Sequence, residues 1–411
     1  MKILAIDTSC DDTCVAIIKA NGGKKSDRKT GEPNFEILTN LVSSQIKIHR
    51  KYGGVVPMLA KREHQKSLIP LLKKALKETD NLRKRDSSKK INSHQNETLK
   101  SLFKKEDALY ERTKSFLEQY KKPEIDLLAV TQGPGLEPSL WSGINLIRAL
   151  SFFWKTPIVP VNHVEAHILA NFISENKTPR LRPFLNRATA DEQAKFRTKN
   201  FPAVALVVSG GHTELSLVKR VGKYKILGET RDDAAGEGLD KIAKILKLFY
   251  PGGPEIEKLS RNGKDVFHLP RPMIFAKNYD FSFSGLKTAV LYLTKKMGSK
   301  KMKSQKVKAD IAASAQSAVI DVLIAKTLKA IKNYKVKTLL LGGGVVANRD
   351  LKIQFRKRVA RALPKFSMYY PEPIFCTDNA AMIGIAGYFN SLEGKKEYWE
   401  KIKAKANLKI Y

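Results

Sequence analysis

The chain has 411 residues, 75 Lys and Arg against 40 Asp and Glu, and a formal net charge of +35. A hydrophobic share of 42 % excludes a chain disordered throughout, and the length fits two or three domains or one two-lobed body. Cys10, Cys14 and Cys376 are too few for a disulfide scaffold and fit a reducing cytoplasm. No apolar run of roughly 18 residues suggests a membrane span, and the charge favours a polyanionic partner such as nucleic acid, unless basic inserts merely solubilise.

Residues 2–7 (KILAID) and 14–18 (CVAII) read as strands joined by the polar turn TSCDDT. That turn sets Asp11 and Asp12 between two buried strands, a place to hold phosphate or a metal. Residues 21–34 are a Gly-, Lys- and Asp-rich loop, and 57–79 are helical with Arg62, Glu63 and His64 near the start. Residues 81–122, with 12 basic and 6 acidic residues, read as a solvated insert, part helical and part mobile. A strand at 125–131 runs into QGPGL, a helix covers 139–154, and a strand at 157–161 delivers NHVEAH. A second basic stretch occupies 175–200. The buried strand 203–209 ends in GGHTEL and returns at 214–219, echoing residues 3–18. The echo predicts a duplicated two-lobed fold with the site between lobes. A helix at 232–248 precedes YPGGP, 295–308 form a lysine-rich loop, and 309–332 a long amphipathic helix. A strand at 337–341 enters GGGVVAN, and 374–389 form the last helix. Alternating strands and helices indicate an α/β architecture.

His163 and His167 stand four apart, which on a helix puts both imidazoles on one face, a chelating geometry or simply two satisfied histidines. The zinc-peptidase motif needs Glu directly after the first His, but Val164 stands there and Glu165 falls on another face. Asp378 reads either as a third ligand or as an ordinary helix cap. The turns at Gly210 and Gly211, at Gly252 and Gly253, and at GGGVVAN can present N–H groups to phosphate, and together they suggest a nucleotide cleft. Asp240 could accept ribose hydroxyls, and FSFSGLKTAV defaults to core packing.

Taken in order, IDTSCDDT, YGGVVP, the Arg62–His64 pair, TQGPGL, HVEAH, VVSGGHTEL, LGETRDDAAGEGLDK, YPGGP, FSFSGLKTAV, DIAAS, GGGVVAN and CTDNAAMIG resemble the tRNA N6-adenosine threonylcarbamoyltransferase family, once described as an O-sialoglycoprotein endopeptidase. The match is collinear outside the basic inserts. It implies the actin/Hsp70/sugar-kinase fold, with a lobe of residues 1–162 plus 381–411 and a second of 163–380. It also implies transfer of threonylcarbamoyl from L-threonylcarbamoyladenylate to N6 of adenosine 37 in tRNAs reading codons that begin with A. The product is t6A, AMP leaves, and the setting is cytoplasmic. By motif, His163, His167 and Asp378 would hold one divalent cation, Fe2+ or alternatively Zn2+. Val207, Val208, Ser209, Gly210, Gly211, Asp240, Gly253 and Asn348 would contact the nucleotide and acyl group, and Asp11 and Asp12 would assist catalysis. Expected partners are tRNA, a TsaB-like paralogue and a TsaE-like P-loop ATPase. Departures from the family pattern are Asp12 where Glu is frequent, Pro138 and Gly238 where Gly and Ala are usual, and Glu257 where many relatives carry Asp. The competing readings are a metallopeptidase, a sugar kinase or ATPase of the same fold, and a non-catalytic scaffold.

Overall fold

The structure, a computed structural model, describes residues 1–21, 32–85, 90–104, 106–173, 196–363 and 366–411. Its first half runs β1 (Lys2–Asp7), β2 (Asp12–Asn21), β3 (Asn34–Ser44), α1 (Ile46–His49), α2 (Pro57–Glu78), α3 (Ser93–Leu102), α4 (Asp107–Gln119), β4 (Leu127–Gly133), α5 (Glu137–Trp154), β5 (Ile158–Asn162) and α6 (His163–Leu169). The second runs β6 (Ala203–Val208), β7 (Thr213–Arg220), β8 (Lys223–Glu229), α7 (Ala235–Ile245), α8 (Gly252–Ser260), α9 (Ser284–Met302), α10 (Gln305–Tyr334), β9 (Thr338–Gly342), α11 (Arg349–Ala362), β10 (Ser367–Tyr369), α12 (Pro373–Cys376) and α13 (Ala380–Leu392).

The strands form two sheets of one topology. β1 pairs antiparallel with β2 and parallel with β4, giving β3-β2-β1-β4-β5. β6 pairs antiparallel with β7 and parallel with β9, giving β8-β7-β6-β9-β10. The duplication read from the turns is therefore a duplication of whole sheets, the two-lobed α/β fold of actin, Hsp70 and the sugar kinases. The central strands β1, β4, β6 and β9 are short apolar runs because helices cover both faces.

Each half ends in a helix lodged between the sheets. α6 packs on β5, β6 and β9, and α13 packs on β1, β2, β4 and β5. One apolar cluster joins Ala5, Ala129 and Val161 of the first sheet to Ala205 and Leu340 of the second through α13 and α6. The helix comes so close that a Cβ at Gly387 would lie 2.7 Å from that of Ala129. The floor of the inter-lobe cleft is thus packed core, a rigid support for side chains above it.

The structure corrects four expectations. Residues 81–122 are not a solvated insert: α3 and α4 dock on α2 and α5 and bury Leu99, Leu102, Phe103, Leu109, Phe116 and Leu117. Apart from Glu106, the described charges of this stretch are half-buried or exposed, while the apolar residues recur at helical spacing, each full burial contributing about 1.5–3 kcal/mol. Buried Glu106 accepts from Gln65 Nε2, Ser142 Oγ and Asn145 Nδ2 at 3.3, 3.2 and 2.9 Å and faces Lys61 Nζ at 3.3 Å. Residues 295–308 are largely helical rather than a loop, with a break at Gly298 where φ is +73°. The edge strand β3 went unread. The last helix is two, α12 and α13, interrupted at Thr377 to Asn379. Most of the stretch 175–200, and most of the loop 21–34, lies outside the described residues. α10 has the length and hydropathy of a membrane span, but 78 % of that span is buried within the protein, where Ile311, Ala315, Val319 and Leu323 belong to the core of the second lobe.

Candidate functional site

Asn162 ends β5 and caps α6, accepting from Val164 N at 2.9 Å and Glu165 N at 3.1 Å. That cap starts the helix at His163, so His163 and His167 face one side, their ring centroids 4.7 Å apart. Across from them, Asn379 caps α13 by accepting from Met382 N at 3.0 Å. Asp378 is therefore not the cap. Its Oδ1 lies 3.4 Å from His163 Nε2 and 3.3 Å from His167 Nε2. One ligand atom from each of the three residues falls within 4.8 Å of the others. Both ring nitrogens of buried His167 lack a hydrogen-bond partner among the described residues. A satisfied core histidine would not leave them so, because an unpaired buried polar atom costs about 1–3 kcal/mol. Two imidazoles and one carboxylate at these separations are a donor set that fits Zn2+ or Fe2+ with coordination positions left open.

Charges converge on this triad. Burial opposes a charge on His163, but Asp7 and Asp378 outweigh it and raise its pKa to about 10. Burial lowers the pKa of His167, with the neighbouring His163 acting the same way. Burial would raise that of Asp378, yet the two histidines hold it well below the usual carboxylate range. His212, whose ring centroid is 6.4 Å from that of His163, is pushed down to about 4 by burial and by both histidines. Glu165 points away: its Oε2 accepts from Asn390 Nδ2 at 3.0 Å, so it does not stand beside the triad as a base in the zinc-peptidase manner.

The acid turn is held from behind by α1 and α2. His64 is fully buried, its Nε2 3.0 Å from the Cys10 carbonyl oxygen and its Nδ1 2.8 Å from Thr13 Oγ1. A carbonyl only accepts, so Nε2 carries the proton and Nδ1 accepts from the threonine hydroxyl. Burial lowers the His64 pKa to about 4, in keeping with this neutral form. Gln45 adds a bond from its N–H to the Asp11 carbonyl at 3.3 Å, and His49 Nε2 lies 3.0 Å from Gln45 Oε1. Burial raises the Asp11 pKa and brings that of Asp12 to about 7. One buried oxygen of Asp12 lacks a hydrogen-bond partner among the described residues.

The glycine turns divide into two kinds. A Cβ at Gly210, Gly211 or Gly253 would meet nothing within 4 Å, so these border open space. At Gly342 and Gly343 it would lie 2.6 Å from the His167 carbonyl oxygen and 2.4 Å from that of Val208. These two glycines serve close backbone packing that seats β9 against α6. Gly343 also has φ +91°, which favours glycine. Val207 and Val208 are buried β6 residues, so only their backbone can reach a ligand. Ser209 braces its turn, its N–H donating to the His212 carbonyl at 2.8 Å and its Oγ accepting from His212 N at 3.1 Å. Asp240 Oδ1 accepts from Gly252 N at 2.6 Å and Gly253 N at 3.2 Å, holding the YPGGP turn, and burial raises its pKa to about 6.

Asn348 caps α11, accepting from Leu351 N at 2.9 Å, and its Nδ2 donates to Gln316 Oε1 at 2.8 Å. Glu257 Oε1 accepts from Arg349 N at 3.1 Å and Arg261 Nη2 at 3.2 Å. Glu257, Ser260, Gln316 and Arg349 line a cavity of about 380 Å³, which includes no member of the triad. Phe281 and Phe283 are buried core, as expected. Asp232 caps α9 by accepting from Phe283 N at 2.8 Å and Ser284 N at 3.2 Å.

Sequence reasoning passed over Asp7, His49 and His212 and gave His64 no role. Only His64 left a signal, its spacing with Ala60 and Leu68 on the buried face of α2.

A family model described as tRNA N6-adenosine threonylcarbamoyltransferase matches residues 36–87, 111–186 and 187–385. A relative from Persephonella marina, named tRNA N6-adenosine threonylcarbamoyltransferase, is 39 % identical over 413 residues, covering 100 % of this chain and 96 % of the relative. One of the same name from Thermosipho africanus is 41 % identical over 391 residues, covering 94 % of each chain. A solved ROK hexokinase from Thermus thermophilus aligns over 96 % of this chain and 100 % of its own at 12 % identity, with a TM-score of 0.42, too low to add to the topology.

Proposed function

The chain belongs to the tRNA N6-adenosine threonylcarbamoyltransferase family and is a transferase acting in tRNA modification; from that premise we propose that it moves threonylcarbamoyl from L-threonylcarbamoyladenylate to N6 of adenosine 37 in tRNAs reading codons that begin with A. The observation that carries this reading is the meeting of His163, His167 and Asp378 within one 4.8 Å group, in a fold whose two turns bring acids from one lobe and open glycines from the other.

The adenylate sits along the second lobe. N–H groups of Gly210 and Gly211 face its phosphate, and the 380 Å³ cavity beside Gln316 is large enough for the adenosine. A divalent cation held by His163, His167 and Asp378, Fe2+ or Zn2+, supplies Lewis-acid polarisation and a template for the threonyl oxygens when bound. The exocyclic amine of adenine is a poor nucleophile, so alignment with the carbamoyl carbon and a proton acceptor matter most. N6 attacks that carbon, the bond from carbon to the AMP oxygen breaks, and the N6 proton passes to Asp12. A carboxyl with a pKa near 7 is matched to that transfer at neutral pH. The chain's +35 charge supplies the phosphate contacts that hold tRNA without reading its sequence.

Purified protein, synthetic adenylate donor and an unmodified tRNA transcript test the reading, with and without a TsaB-like paralogue and a TsaE-like ATPase. Nucleoside analysis should find t6A and AMP in equal amounts. No t6A with every partner present would overturn the reading.

A further inference from the structure

Asp7 ends β1 and is fully buried. Its Oδ1 accepts from Ser9 N at 3.0 Å. Its Oδ2 has no hydrogen-bond partner among the described residues, and neither does Nδ1 of buried His163. These two atoms face each other at 3.4 Å. On its other side His163 turns Nε2 toward Asp378 and the cation site.

We infer that Asp7 is a positioning residue that fixes the His163 tautomer, keeping the proton on Nδ1 and the Nε2 lone pair free for a divalent cation. This rests on the metal reading above. A carboxylate oxygen only accepts, so the atom facing it must carry hydrogen. A bound cation takes the place of any proton on Nε2, and with Nδ1 still protonated the ring's one lone pair lies on Nε2. Carboxylates or carbonyls behind ligating histidines commonly set tautomer and orientation in this way.

Asp7→Asn separates this role from simple turn building. The asparagine oxygen stays toward Ser9 N, because that N–H needs an acceptor. The amide NH2 then faces His163 Nδ1, which must accept, so the imidazole proton moves to Nε2 and blocks ligation. The turn survives while the ligand is lost.

The test titrates Zn2+ into chelator-stripped full-length protein against a chromophoric competitor, with circular dichroism melts of the metal-free forms. Wild type should bind one Zn2+, His167→Ala none, and Asp7→Asn should bind roughly 10- to 100-fold more weakly with a nearly unchanged melt. Equal affinity of Asp7→Asn and wild type overturns the inference and leaves the metal site standing. Failure of wild type to bind Zn2+, Fe2+ or Co2+ overturns both. Should Asp7→Asn not fold, long-range 15N–1H spectra of Zn2+-loaded wild type decide. His163 must show a protonated Nδ1 and a metallated Nε2; metal on Nδ1 overturns the inference.

Discussion

The two halves of the molecule build the same turn and fill it with opposite chemistry. In the first, β1 and β2 enclose TSCDDT, whose carboxyls are half-buried and whose carbonyls are pinned by His64 and Gln45. In the second, β6 and β7 enclose SGGHT, where Gly210 and Gly211 border open space. The shared frame shows that duplication supplies position, and the residues at the tip supply function. Under the proposed function, one turn would accept a proton and the other would admit an anion.

Moving chemistry between the turns should break that division. Asp12→Asn removes the acceptor, and kcat should fall about 10²- to 10⁴-fold with little change in the donor KM. The wild-type rate should rise with pH through about 7, because the base works only when deprotonated, and the variant should lose that rise. A pH profile of single-turnover t6A formation checks both. An unchanged profile would take the proton from Asp12 and give it to another group.

Gly211→Asp puts a carboxylate where the phosphate of the adenylate is expected. A Cβ there meets nothing within 4 Å, so the fold should hold. The donor KM should rise about tenfold or more, each 1.4 kcal/mol being tenfold, with the tRNA KM unchanged. Gly236→Ala sharpens the contrast, since its Cβ would lie 2.5 Å from the Ser209 carbonyl oxygen. That variant should lose stability rather than donor affinity alone.

The smallest effect should come from behind the acid turn. His64→Leu leaves the Cys10 carbonyl unpaired in the interior, at a cost of about 1–3 kcal/mol in denaturant unfolding, and should lower kcat only modestly. It also removes a pH dependence. The folded pKa near 4 lies below the ordinary 6.5. The stability linked to His64 is therefore present above about 6.5 and is lost as pH falls toward 4. The variant should show a shallower loss over that window.

Much of this was legible from local pattern. Apolar runs closed by polar or glycine turns gave the strands and their repetition, and the spacing of His163 and His167 gave a chelating face. Asp378 was ambiguous until Asn379 took the capping role, which only backbone geometry decides. The helices within 81–122 were legible, but their docking was not, because charge dominates the composition there, although Leu99, Leu102 and Phe103 share one face at α3 and Leu109 and Phe116 one face of α4. Asp7 left no local signal, since its role depends on β1 ending against α6, a contact far apart in the chain. The GGGVVAN glycines looked like a phosphate cradle, but Gly342 and Gly343 serve backbone packing.

The most direct test is anomalous diffraction at the iron or zinc edge from crystals of the metal-loaded protein. One peak should stand between His163 Nε2, His167 Nε2 and Asp378 Oδ1, in the cleft between the two turns. A loaded crystal with its only strong peak elsewhere would contradict the account.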